Sequence, residues 1–293
     1  MDILIRQKSF LGKKELPLEL FTNGKLEYGS ISHSFRLKKG EIGSPATLFY
    51  DPEHPGTGIW VNFVPHMIDR LQIHVSFPST DADLEEAFSI AERCASVWKQ
   101  RTASIGRRKI LISDFPKELE TCKKEALLQM VRAGDQPDAC IHVPGVFQPV
   151  SFTGQELKTY GEAGDLHAFS EDFYSKQRVD VYFASPLIYR IRRGIQGIYV
   201  IHPDVPTVLP LTPSVFPALK EESLTEMEKQ RQSFSVEFYA EDNEKPLGRM
   251  PYEKFADAVH LSDLEVFDSY HRIAEFDLDT IRRLSERSAA KDD

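Results

Sequence analysis

The sequence predicts an α+β fold of antiparallel sheets and packed helices, and three patterns carry that prediction. Alternation of apolar and polar residues, the mark of half-buried strands, comes in neighbouring runs, as at 59–63 and 71–77 and again at 234–239. Apolar stripes at steps of three or four mark helices between these groups, at 81–100 and 116–133. Strict strand-helix-strand alternation, which a doubly wound parallel sheet requires, is missing.

The elements follow in order. Ile59, Val61 and Phe63 alternate with Trp60 and Asn62, and Leu71, Ile73, Val75 and Phe77 with Gln72, His74 and Ser76, which predicts two neighbouring antiparallel strands. From Asp81 to about Gln100, Leu84, Phe88, Ala91, Ala95 and Trp98 build one helical stripe. Ser79, Thr80 and Asp81 offer capping oxygens, and Asp83, Glu85 and Glu86 supply the negative charge a helix N-terminus favours. A second helix is expected from Pro116 to Ala133, burying Leu119, Cys122, Ala126 and Met130 and ending at Gly134. Residues 143–152 read as an edge or bulged strand, because Pro144, Gly145 and Pro149 interrupt them.

The later part begins with strands at 179–183 and 195–201. Five prolines between His202 and Pro217 predict an extended connector rather than a helix or central strand. Ser223 and Glu226 have capping-box spacing and open a charged helix through Arg231. Phe234, Val236 and Phe238 alternate with Ser235, Glu237 and Tyr239 in a half-buried strand, and Leu247 to Met250 returns beside it. Pro251 then starts a helix burying Phe255 and Val259, residues 266–276 form a final strand, and Asp277 or Asp279 caps a closing helix. The change of texture after Pro137 places a boundary there, giving domains 1–136 and 137–293, with the Pro-rich connector at 202–217 in the second.

Composition sets outer limits. With 293 residues, 41% hydrophobic and 28% charged, the chain resembles ordinary globular proteins and can bury a sizeable core. No apolar run reaches the roughly 18 residues a membrane-spanning helix needs, so no membrane association is expected and the chain reads as cytoplasmic. Cys94, Cys122 and Cys140 are widely spaced and form no CxxC pair, which signals neither a disulfide framework nor a zinc site; Cys94 and Cys122 fall on apolar helix faces. Of the net charge of −9, residues 1–150 contribute nothing, with 19 basic and 19 acidic side chains, so the acidity lies C-terminal. Nucleic acid could bind only at a local basic patch and is not the expected partner.

Three groups could carry function. Asp51, His54, His66 and Asp69, with Glu53 and His74 nearby, supply acid, base and metal-ligand chemistry, but no two histidines share a helical i, i+4 interval. Lys99, Arg101, Arg107, Arg108 and Lys109 surround Gly106, and Arg190, Arg192 and Arg193 flank Gly194; either group could clamp a carboxylate or phosphate. Tyr182, Tyr199 and Tyr239 lie opposite the more apolar side of their strands, where they either meet a partner or are covered by helices. No phosphate loop, dinucleotide fingerprint, nucleophile elbow or HExxH motif is present, and Gly56 with Gly58 is only a fragment of a glycine-rich turn.

The runs 5–13 (IRQKSFLGK) and 246–252 (PLGRMPY) resemble uncharacterised bacterial families of about this length. The resemblance implies a bacterial protein of unknown function and carries no site residues across. The leading expectation is an interaction or accessory protein without enzymatic activity, cofactor or metal, and with a protein partner. The alternatives are a metal-assisted hydrolase using the 51–74 segment, and anion or nucleic-acid binding through the 99–109 loop.

Overall fold

A computed structural model describes residues 1–8, 12–32, 36–67, 69–192, 194–216, 231–240 and 245–289. The fold is α+β, as the periodicities predict. The chain divides into two compact units, one comprising Met1–Ser32 with Arg36–Arg178 and the other the residues from Val179 onward.

The first unit is built on an eight-stranded sheet of β1 (Asp2–Arg6), β2 (Glu27–Ile31), β3 (Leu37–Lys39), β4 (Thr47–Tyr50), β5 (Ile59–Val61), β6 (Arg70–Val75), β7 (Thr102–Ile105) and β8 (Arg108–Leu111), in the order β3-β2-β4-β5-β6-β1-β7-β8. All of its pairs are antiparallel, including the expected β5–β6 pair with Trp60 opposite His74. Strand alternation sends Ile3, Ile5, Phe49, Ile73, Ala103 and Ile105 into the main core, where they meet Leu84, Phe88, Ala91 and Ala95 of α2 (Asp81–Val97). α1 (Glu19–Thr22) adds Phe21, whose ring stacks on Phe49 at 5.5 Å. On the other face, Leu48 and Tyr50 form a small second cluster with Val146.

α2 starts as its sequence dictates: the Thr80 side chain accepts the Asp83 backbone N–H at 3.3 Å. α3 (Phe115–Ala133) buries Cys122, Ala126 and Met130, and Cys94 and Cys122 are both core residues. Residues 140–153 fold as a hairpin, β9 (Cys140–Val143) against β10 (Val150–Thr153), so Pro144, Gly145 and Pro149 belong to its loop and not to a bulged strand. Two helices absent from the elements expected above then follow, α4 (Gly154–Ala163) and α5 (Leu166–Gln177). Their Leu157, Leu166, Phe169 and Phe173 join the same core as β1 and α2. The compact division falls after Arg178, because the hairpin and both helices complete the first core.

The second unit contains two four-stranded sheets. One orders β11 (Tyr182–Phe183), β14 (Thr207–Pro210), β18 (His271–Ala274) and β17 (Glu265–Val266). The other orders β12 (Leu187–Ile191), β13 (Gly194–Ile201), β15 (Gln232–Phe238) and β16 (Gly248–Pro251). β13 and β15 run parallel, so the sheets here are mixed rather than wholly antiparallel. The connector at 202–217 contains the fully buried internal strand β14, contrary to expectation. Pro206 precedes it and Pro210 is its last residue, and neither breaks it: their carbonyls accept the Tyr182 N–H (2.8 Å) and the Tyr252 hydroxyl (2.5 Å).

β15 is covered on both sides, so Ser235 and Glu237 are buried along with Val236 and Phe238. Glu237 is satisfied by the Arg249 guanidinium and by the Tyr239 hydroxyl at 3.0 Å. Tyr199 is buried and donates to the Ser214 carbonyl at 2.9 Å, whereas Tyr182 and Tyr239 are half-buried. α6 (Tyr252–Val259) and α7 (Leu278–Ala289) pack Phe255, Ile281 and Leu284 into this core, and Asp277 caps α7 by accepting the Thr280 N–H at 2.7 Å. The helix expected at 223–231 lies outside the described residues, Arg231 apart.

Candidate functional site

The first turn of α2 organises one cleft, of about 210 Å³, in the first unit. Asp81 accepts the Tyr174 hydroxyl at 2.8 Å and faces His167 Nδ1 at 3.2 Å, both from α5. Across the cleft, Asp51 meets Lys25 Nζ at 3.0 Å, His54 Nδ1 at 3.3 Å and the Glu53 backbone N–H at 2.9 Å. The His54 and Tyr174 rings stand edge-on at 5.5 Å.

Electrostatics follow from these partners. Desolvation works against the Asp81 carboxylate, but hydrogen bonds from Tyr174, His167 and Ser170 outweigh it and hold its pKa below the ordinary value. Asp51 behaves alike, with Lys25, the Glu53 N–H and His54 overcoming burial. The Glu86 hydrogen bond first, then Asp51, raises Lys25. Burial pushes the Tyr174 phenol far up, and the Asp81 hydrogen bond raises the exposed His167 imidazole. Each carboxylate of the two Asp–His pairs is thus engaged with neighbours from the same unit, and the cluster ties α2, α5 and the 51–54 segment together.

The glycine fragment belongs to the same corner. Thr57 N–H and Gly58 N–H donate to the buried Asp83 carboxylate at 2.7 and 3.2 Å, and the Thr57 and Thr80 hydroxyls add bonds at 3.0 and 2.8 Å. A Cβ on Gly56 would lie 2.3 Å from Asp83 Oδ2, so glycine is what lets this loop wrap the carboxylate. The backbone donors hold the protein's own acid.

A second cleft, of about 290 Å³, opens on the outer face of β1, β7 and β8. The register sets Leu4, Ser104 and Lys109 in one cross-strand row, and Arg6, Lys8, Thr102 and Gln100 complete the lining. Among the described residues, Arg6, Lys8 and Lys109 have no acidic partner within 4 Å. Strand alternation also splits the basic run: Lys109 turns to this open face, whereas Arg108 stands opposite the core residue Ile105 and binds Glu118 of α3 at 2.8 Å.

The sequence candidates are therefore sorted by their partners. Asp51 and His54 come together, but His66 pairs with Glu15 at 2.8 Å and Asp69 with Lys13, and neither lines the Asp51 cleft. His74 faces Asp2 at 3.0 Å. Among the described residues, no group of three or more His, Cys, Asp or Glu side chains could hold a metal ion. Lys99, Arg101 and Arg107 are exposed, Lys109 enters the basic cleft, Arg190 and Arg192 are exposed in the second unit, and Arg193 lies outside the described residues. Lys25, Asp81, His167 and Tyr174 were not legible as a group, since up to 149 positions separate them. Arg6 had a local signal in its alternation with Ile3 and Ile5.

No helix among the described residues is long and apolar enough to cross a membrane. No curated protein matches the chain, and no solved structure matches it either. The family model described as a domain of unknown function, DUF4299, matches residues 1–284, nearly the full length, and the chain belongs to that family.

Proposed function

We propose that this protein is a non-enzymatic binding module that receives anionic groups of a partner on the open face of its large sheet. The observation that carries the reading is the cleft where Arg6, Lys8 and Lys109 converge without acidic partners among the described residues. Cations left unneutralised on one surface favour carboxylate or phosphate groups, and Thr102, Ser104 and Gln100 add neutral hydrogen-bonding groups beside them. Supporting it, Asp51 and Asp81 of the other cleft are each already engaged by their own partners, Lys25 with His54 and Tyr174 with His167, as in a structural latch.

Heparin chromatography tests the proposal well, because a chain of net charge −9 has no general reason to adhere to a polyanion. At about 50 mM salt the protein should be retained and should elute as salt rises. The variant R6Q/K8Q/K109Q should lose that retention, whereas R190Q/R192Q should keep it. Flow-through of the unaltered protein, or retention that survives the triple change, would overturn the reading.

A further inference from the structure

The β9–β10 hairpin carries a second kind of chemistry, independent of the basic cleft. Cys140 and His142 lie two residues apart on β9, so their side chains share a face. The Cys140 Sγ lies 3.6 Å from His142 Nε2 and 3.7 Å from Nδ1. The register places Ser151 directly opposite His142, and its hydroxyl oxygen sits 2.7 Å from Nδ1. Ser151 is buried and Cys140 is exposed, so the imidazole is anchored from the inside while the sulfur faces solvent.

We propose that Cys140 is a reactive thiol that forms mixed disulfides with small-molecule disulfides, with His142 as its proton acceptor and Ser151 as the residue that positions the ring. When Nδ1–H donates to the Ser151 oxygen, Nε2 is the unprotonated ring nitrogen and lies 3.6 Å from the thiol sulfur, close enough to take its proton once the thiol turns toward it. A nucleophile beside a base, with the base oriented by a third group, is the arrangement that activates a sulfur. In the step itself the thiol proton passes to Nε2, and the thiolate attacks one sulfur of a disulfide RSSR. A Cys140–SR bond forms, the RS–SR bond breaks, and the departing RS⁻ takes the proton from the imidazolium as RSH.

The other two cysteines provide an internal contrast. Burial pushes the Cys94 thiol up to about 12 and the Cys122 thiol up to about 11, and both are enclosed in the first core. Neither has an imidazole in contact among the described hydrogen-bonding partners. On the strand opposite Cys140 stands Thr153, and the Glu156 carboxylate that follows accepts the Thr153 backbone N–H at 2.7 Å. Asp138 precedes the cysteine by two positions.

The full chain treated with oxidised glutathione should gain one adduct, mapped by peptide mass spectrometry to Cys140. Alkylation by iodoacetamide at pH 6 should be about ten-fold slower in His142→Asn, since the lost thiolate fraction is only partly offset by higher intrinsic nucleophilicity. Ser151→Ala should move the pH–rate profile of Cys140 in the same direction. Should His142→Asn fail to fold, the native chain is compared with the urea-unfolded chain at pH 6 and should react faster at Cys140. An adduct on Cys94 or Cys122 instead, or a Cys140 rate unchanged by His142→Asn, or equal native and unfolded rates, would refute the proposal.

Discussion

Single side chains in this protein take their properties from partners far away in the sequence. Asp81 is the clearest case, because its two strongest side-chain partners, Tyr174 and His167, come from a helix more than eighty positions on. The sign of its pH dependence follows from the direction of each shift. Asp81 is held low, so its stabilising contribution is complete above the ordinary carboxylate pKa of about 3.9 and is lost as pH falls through the depressed value. His167 is held high, so its contribution is present below the ordinary histidine pKa and is lost as pH rises through the raised one. Asp81→Asn should therefore bring the His167 titration midpoint down toward about 6.5 in an NMR experiment, and should flatten the acid limb of thermal stability. A His167 midpoint unmoved by the substitution would show that the pair does not exist in solution.

Elements meet here through close backbone approach as well as side-chain packing. α3 and α4 touch where Gly161 leaves room: a Cβ there would lie 2.7 Å from the Leu127 carbonyl oxygen and 2.7 Å from the Val131 nitrogen. Both obstacles are helical backbone, which cannot swing aside as a side chain can. Gly161→Ala should destabilise the protein by about 1–3 kcal/mol despite its better helix propensity, as read from a denaturant midpoint. A gain in stability would mean that the two helices sit further apart. The start of α4 is secured independently by a capping box in which Thr153 and Glu156 exchange hydrogen bonds at 3.0 and 2.7 Å. The same strand period that buries Ile3 and Ile5 also exposes Arg6, and it sends Lys109 and Arg108 to opposite faces. A basic run in the sequence is therefore not one basic surface in the fold.

At the scale of the molecule, the division after Arg178 makes a distinct expectation: a fragment of residues 1–178 should melt cooperatively, whereas 1–136 should not, because it lacks Phe152, Leu157, Phe169 and Phe173 of the first core. Circular dichroism of the two fragments decides this, and a cooperative 1–136 fragment would place the boundary earlier. The α+β class, the β5–β6 pair, the extents of α2 and α3 and the burial of Cys94 and Cys122 were legible from sequence alone, since each rests on local periodicity and capping. Local pattern did not disclose β14, whose prolines are accommodated by carbonyl acceptance, or the parallel β13–β15 pair, which joins segments with 30 positions between their ends. Nor could it show that Asp51 chooses His54 while His66 chooses Glu15, or that Arg6 and Lys8 share a cleft with Lys109. The sequence by itself determined the rhythm of burial within elements such as β6, α2 and α3, because burial period is written in neighbouring positions. Only the tertiary structure decided which polar groups meet, because that depends on strand order and register, and these join positions that no local pattern relates.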